Sequence, residues 1–308
     1  MRAVFMGSPA FAVPSLERLL ADGHRVSLVV TQPDRPAGRG QALRPPPVKA
    51  AALRHTLPLV QPERLDDPAV LARLHDADPE IVVVVAFGQY LPRPIRELPP
   101  LGCVNVHASL LPKLRGAAPI ARALLEGEAE TGVTIMRVEG RMDAGPMLLQ
   151  RRCPIRPDDD AGSLHDRLAP LGAEALAEAL HLLAAGRAVW SPQDDSQATA
   201  APKLTDADCR LDLAAPPGHL VNQVRGLSPA PGAYLALDGG QRLKVLRASA
   251  REGSGLPGHI LALEEEALVL AAAEGALALL SVQPEGKRRM SGAEFARGRR
   301  LRAGERCG

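Results

Sequence analysis

The sequence predicts an α/β protein: a Rossmann-like, mostly parallel sheet followed by a small antiparallel β-barrel of OB-like size. Three stretches carry that prediction. RAVFM (2–6) is an apolar run closed by Gly7-Ser8-Pro9. Helix-spaced Leu16, Leu19 and Leu20 follow, then a second apolar run at 24–31, giving strand, turn, helix, strand. IVVVV (81–85) is an unbroken β-branched run, the composition of a central parallel strand buried on both faces. Beyond about residue 207 the pattern changes to short strands punctuated by turn signals, which suits a small barrel.

Taken in order, the first turn carries one glycine and no GxGxxG, so a dinucleotide is not indicated. QPDRPAGRGQALRPPPVK (32–49) is rich in Pro, Gly and Arg and predicts an irregular loop until a helix begins at Val48. Asp34, Arg35, Arg39 and Arg44 in that loop could serve an anionic partner, or the loop could be merely solvated. A helix is expected over about 68–76, and the strand at 81 ends in Phe87-Gly88-Gln89-Tyr90. GCVNVH (102–107) reads as another strand, and a helix is expected from Ile120 to Leu125. A hairpin of 130–138 and 148–155 has Asp143 at its turn. Ser163 is a candidate N-cap for a long helix reaching about Gly186. Residues 1–189 are expected to form the first domain, 190–206 a polar linker, and 207–308 the barrel. The barrel half opens on a helix pattern (219–224) and continues with strands at 232–237, 241–248, 258–264, 267–273 and 276–283.

Composition narrows the class. The 308 residues are 46% hydrophobic but only 2% aromatic, so Leu, Val and Ala must fill the core. Net charge of +2 does not by itself argue for nucleic acid, yet the tail from Lys287 collects Arg288, Arg289, Arg297, Arg299, Arg300, Arg302 and Arg306. Such a tail can meet phosphate or form a solvated face. The four cysteines make no CxxC pair, which argues against a disulfide framework or structural zinc and for a reducing, cytoplasmic setting. No signal segment and no membrane-length apolar run is present.

Chemistry concentrates at 102–127. Strand periodicity points Asn105 and His107 to one face and Val104 and Val106 to the other. The sequence holds only two asparagines, and one lies two residues from this histidine at a strand end. Open α/β sheets keep their chemistry at such ends. With Asp143 the set suits acyl transfer to an amine. The imidazole manages protons, the amide donates to the oxyanion, and the carboxylate supports the imidazole. No GxSxG occurs, so direct transfer is favoured over a covalent intermediate. As metal ligands Cys103 and His107 are poorly spaced, roughly 13 Å apart along a strand.

NVHASLLPKLRGAAP (105–119) resembles the signature of the folate-dependent formyltransferases. With TQPDRPAGRG (31–40), AETGVTIM (129–136), DAGPML (143–148), APKLT (201–205) and GKRRMSGAEFARG (286–298), the chain is similar to the methionyl-tRNA formyltransferase branch of that family. The resemblance implies the formyltransferase fold, a 10-formyltetrahydrofolate donor, initiator methionyl-tRNA as acceptor, no metal, no NAD, and a monomer. It implies catalytic roles for Asn105, His107 and Asp143. The folate site would fall on Phe87, Gly88, Gln89, Tyr90, Leu91, Ser109, Leu110, Leu111, Pro112, Val138 and Gly140. The tRNA contacts would fall on Arg35, Arg39, Arg44, Lys203, Lys287, Arg288 and Arg289. Leu114, Ala108 and Ala200 depart from residues common in the family. The alternative, formylation of an amino sugar nucleotide, shares the catalytic residues but leaves the 32–49 insertion and the basic tail without a use.

Overall fold

The structure, a computed structural model, describes residues 1–37 and 42–307. The chain divides into two compact units. One comprises Met1–Pro119, Glu130–Pro154 and His165–Pro202; the other comprises Ile120–Ala129, Ile155–Leu164 and Lys203–Gly308.

The first unit is built on strands β1 (Arg2–Gly7), β2 (Arg25–Val30), β5 (Leu59–Val60), β6 (Ile81–Val85), β7 (Cys103–His107), β9 (Glu130–Arg137) and β10 (Met147–Pro154). The short pieces β3 (Arg35–Ala37), β4 (Ala42–Arg44) and β8 (Arg115–Gly116) lie outside that sheet. The sheet order is β10-β9-β7-β6-β1-β2-β5. Pairings from β5 through β7 are parallel, and β9 and β10 add antiparallel. The chain winds outward from β1 through β2 to β5, then restarts on the other side at β6. The winding thus reverses between β1 and β6, and the carboxyl ends of these strands and of β7, which His107 ends, lie along one edge of the sheet. Val4, Met6, Leu28, Val82, Val84 and Ile95 form one core cluster, aliphatic as the composition requires.

Helices of the first unit are α1 (Val13–Ala21), α2 (Pro47–Arg54), α3 (Pro68–Asp76) and α4 (Arg93–Arg96); α5 (Pro119–Leu125) falls almost wholly in the second unit, and α6 (Ala161–Ala184) begins in the second and from His165 belongs to the first. Pro stands in the first turn of α1 through α4, where its missing N–H costs nothing. Gly172 lets α6 lie against β7, because a Cβ there would stand 2.8 Å from Val106 Cγ1. Three local expectations are corrected. The 32–49 stretch is not irregular throughout, since β3 and β4 pair as a hairpin with Arg35 opposite Arg44. The cap of α6 is Asp160, whose Oδ1 accepts the Ser163 N–H at 2.8 Å while Ser163 Oγ accepts the Asp160 N–H at 3.0 Å. Residues 190–206 are not bare linker: β11 (Ala200–Ala201) pairs in parallel with β8.

The second unit contains α7 (Asp206–Cys209), α8 (Pro217–Leu227), β12 (Ala233–Ala236), β13 (Arg242–Arg251), β14 (Ile260–Leu263), β15 (Leu268–Ala272), β16 (Gly275–Pro284), β17 (Met290–Ser291) and α9 (Gly292–Arg299). All its sheet pairings are antiparallel, in the order β12-β13-β16-β15-β14 with β17 on β16. Leu220, Leu243, Val245, Leu268, Leu277, Leu279 and Phe295 share its core. Among the described residues no helix is long and apolar enough to cross a membrane.

Candidate active site

The site is built where β7 ends. His107 is buried, and its Nε2 lies 2.9 Å from the Leu114 carbonyl. A carbonyl only accepts, so the neutral ring carries its proton on Nε2 and leaves Nδ1 as the base. Leu114 presents that carbonyl from a left-handed backbone (φ 60), and its own N–H donates to Thr199 Oγ1 at 2.9 Å. Nδ1 faces Asp143 Oδ2 at 3.7 Å. With Nδ1 unprotonated both atoms are acceptors and no hydrogen bond joins them; the pair becomes an ion pair only when the imidazole takes a proton. A proton-bearing group is the complement of such a pair.

Asp143 is itself held. Its Oδ2 accepts the Gly116 N–H at 2.9 Å. Its backbone adopts φ 49, a conformation that costs about 1 kcal/mol and that Asp tolerates better than most residues. Asn105 is half-buried on the same face of β7, and its side-chain amide has no hydrogen-bond partner among the described residues. Asn105 and His107 thus stand on one face of β7, and His107 Nδ1 lies 3.7 Å from the Asp143 carboxylate. Cys103, on the same face, is no nucleophile: burial pushes its thiol up to about 12.

The loop after β7 is braced from the neighbouring strands. Thr134 Oγ1 donates to the Ser109 carbonyl at 2.7 Å and accepts the Leu111 N–H at 3.1 Å; Gln150 Nε2 donates to the Leu111 carbonyl at 2.8 Å. Ser109 is fully buried, and its hydroxyl donates to the Lys113 carbonyl at 2.6 Å. Leu111 is buried, Leu110 and Pro112 half-buried. Phe87 and Leu91 belong to the core, with Val138 packed against it. Gly88, Tyr90 and Gly140 are exposed, and the Tyr90 hydroxyl reaches the Gly140 carbonyl at 3.4 Å, joining the two predicted folate loops. A groove of about 380 Å³ borders this region, lined by Gln32, Arg64, Leu65, Gly88, Gln89 and Tyr90. Asn105, His107 and Asp143 do not line it.

The base of the β3–β4 hairpin is clasped by a network that sequence reading missed. Lys49 Nζ reaches Asp34 at 2.7 and 2.9 Å, and Gln61 Nε2 donates to Asp34 Oδ1 at 2.7 Å. The Gln61 amide, then the Lys49 ammonium, hold the Asp34 carboxyl below the usual carboxylate range. Arg35 pairs with Glu63, Arg44 is exposed, and Arg39 lies outside the described residues. In the second unit Lys203 is exposed. Lys287 and Arg288 line a groove of about 770 Å³ together with Arg242, Arg297 and Arg299. Arg289 is turned aside, its Nε donating to Ser281 Oγ at 2.6 Å. Among the described residues no cluster of His, Cys, Asp and Glu could hold a metal ion, and the four cysteines, all buried, form no disulfide.

Residues 1–180 match the family model described as formyl transferase, and residues 203–300 match that of the formyl transferase C-terminal domain. The chain belongs to the formyl transferase family. It is 50% identical over 311 residues to a methionyl-tRNA formyltransferase of Methylobacterium sp. (strain 4-46), covering 99% of each chain. It is 47% identical over 308 residues to a methionyl-tRNA formyltransferase of Geobacter sulfurreducens, covering all of this chain and 97% of that one. Among solved structures, HypX from Aquifex aeolicus in complex with tetrahydrofolic acid superposes with a TM-score of 0.66 at 19% identity. That match covers 96% of this chain and 47% of HypX, and it is a likeness of fold.

Proposed function

We propose that this formyl transferase moves a formyl group from 10-formyltetrahydrofolate to the α-amino group of methionine esterified to initiator tRNA. The observation that carries the reading is end-to-end identity of 47% and 50% to proteins named methionyl-tRNA formyltransferase. The local chemistry agrees with acyl transfer to an amine. The donor supplies an activated formyl carbon on a nitrogen that can leave. The amine attacks that carbon; the new C–N bond forms, and the bond to the folate nitrogen breaks. His107 Nδ1, free because Nε2 is committed to Leu114, takes the amine proton and returns it to the leaving nitrogen. Asp143 at 3.7 Å stabilises the imidazolium formed in between. Asn105, with its amide unengaged, donates to the oxyanion of the tetrahedral intermediate.

We place the folate ring between the Phe87–Leu91 loop and the Val138–Gly140 turn, beside Ser109–Pro112. Buried Phe87, Leu91 and Leu111 supply apolar walls, and the Tyr90–Gly140 contact spans the mouth. The first unit then does the chemistry. The hairpin carrying Arg35 and Arg44 meets the acceptor stem, and the basic groove of the second unit meets the tRNA backbone. The protein acts as a cytoplasmic monomer. The deciding assay gives the enzyme a formyl-folate donor and either charged initiator tRNA or an amino sugar nucleotide. Formylmethionyl-tRNA is the expected product, and formylated sugar with unmodified tRNA would overturn the reading.

A further inference from the structure

Gln193 follows α6 by nine residues and is half-buried. Its Oε1 accepts two hydrogen bonds from Arg115, from Nε at 3.0 Å and Nη2 at 2.8 Å. Its Nε2 donates to the carbonyls of Asp143 and Gly145, both at 2.8 Å. The amide can lie only this way round, because a guanidinium only donates and a carbonyl only accepts. The turn it grips needs a grip. Asp143 is left-handed, and Gly145 is pressed so close that a Cβ would stand 2.0 Å from the Arg137 carbonyl. Arg115 is fixed in turn by Asp195 at 2.8 Å, and Asp195 also takes Arg141 of the same turn at 2.6 Å. The next residue, Gly116, donates its N–H to the Asp143 carboxylate. Asp143 is thus held at its carboxylate by Gly116 and at its carbonyl by Gln193, both anchored at the 115–116 strand.

We propose that Gln193 is a positioning residue for Asp143: its amide sets the height of the 143–145 turn and so the separation of the carboxylate from His107 Nδ1. The assignment rests on Asp143 acting in formyl transfer as proposed above. Gln193→Ala removes the grip, and Gln193→Glu keeps an acceptor for Arg115 while losing the donor to the two carbonyls. Both variants are expected to lower kcat about 100-fold, the scale of an ångström of misplacement, with KM for donor and charged tRNA within about twofold of the parent. In an Asp143→Asn background Gln193→Ala is expected to cost less than about twofold, since its effect passes through the missing carboxylate. Independently of turnover, hydrogen exchange at the Gly116 amide is expected to rise about tenfold or more in Gln193→Ala while the β6 amides keep their protection. Retained kcat, an equal loss in the Asp143→Asn background, a loss shared by both KM values, or unchanged Gly116 exchange would each overturn the assignment. Should the parent enzyme formylate no acceptor, the proposed function falls, and Gly116 exchange alone decides whether Gln193 holds Asp143.

Discussion

At the scale of single residues, the chemistry turns on which lone pairs are already spent. The Leu114 carbonyl consumes the Nε2 proton of His107, so Nδ1 is the nitrogen left to work. Asn105 is the opposite case, a half-buried amide whose donors have no partner among the described residues. Such a group is costly to keep without a partner and is worth keeping where charge develops during the reaction. Asn105→Ala is therefore expected to lower single-turnover formylation about 10²–10³-fold with KM for charged tRNA nearly unchanged. A loss confined to KM would instead make Asn105 a binding group. Asn105 and His107 stood out as candidates in the sequence because Asn is scarce here and a strand end exposes what it carries. The groups that fix His107 and Asp143 did not. The Leu114 and Asp143 carbonyls and the Gly116 N–H are backbone atoms aimed by left-handed or glycine conformations. Gln193 joins them from fifty residues downstream, where local pattern carries no signal.

At the scale of elements, strand existence was legible and strand order was not. The runs at 2–6, 24–31, 81–85 and 102–107 all became strands of one sheet, because continuous apolar β-branched runs have few other fates. That β1 lies between β6 and β2 follows from how the turns reverse, which no single run records. Helix α9 was hidden by the arginines of the tail, although Ser291 and Glu294 spell its capping box: each side chain accepts the other's backbone N–H, at 3.0 and 2.8 Å. Helix α5 shows how an element is fastened within the second unit. Its Arg122 reaches Asp208 at 2.7 Å, and Thr205 caps the same carboxylate. Arg122 first, then the Thr205 bonds against some desolvation, hold Asp208 down to about 2. A depressed carboxylate stabilises the fold above its unfolded pKa, about 4. That contribution is lost as pH falls from about 4 through about 2. Asp208→Asn should therefore lower the urea midpoint at pH 6, with the gap to the parent closing near pH 2. A gap that persists unchanged at pH 2 would assign Asp208 a role other than this ion pair.

At the scale of the whole molecule, net charge misleads and its distribution informs. A balance of +2 predicts little affinity for a polyanion, yet the second unit gathers Arg242, Lys287, Arg288, Arg297 and Arg299 around one groove against Glu285 and Glu294. Part of that charge is already committed. Arg242 pairs with Asp206 at 2.7 Å, Arg299 bonds Gln241, and Arg288 comes within 3.7 Å of Glu294. Lys287 is exposed with no acidic partner within ion-pair distance among the described residues, so it is the cation best placed to exchange counterions for phosphate. Each phosphate so neutralised contributes about one unit to the slope of log affinity against log salt. Lys287→Ala is expected to reduce the magnitude of that slope for initiator tRNA by about one, and to weaken binding at low salt while leaving kcat at saturating tRNA in place. Filter binding across a salt series reads the slope, and single-turnover formylation reads kcat. An unchanged slope would take this groove off the nucleic-acid surface. A fall in kcat without a change in slope would mean that the groove acts on the chemistry rather than on the charge of the bound tRNA.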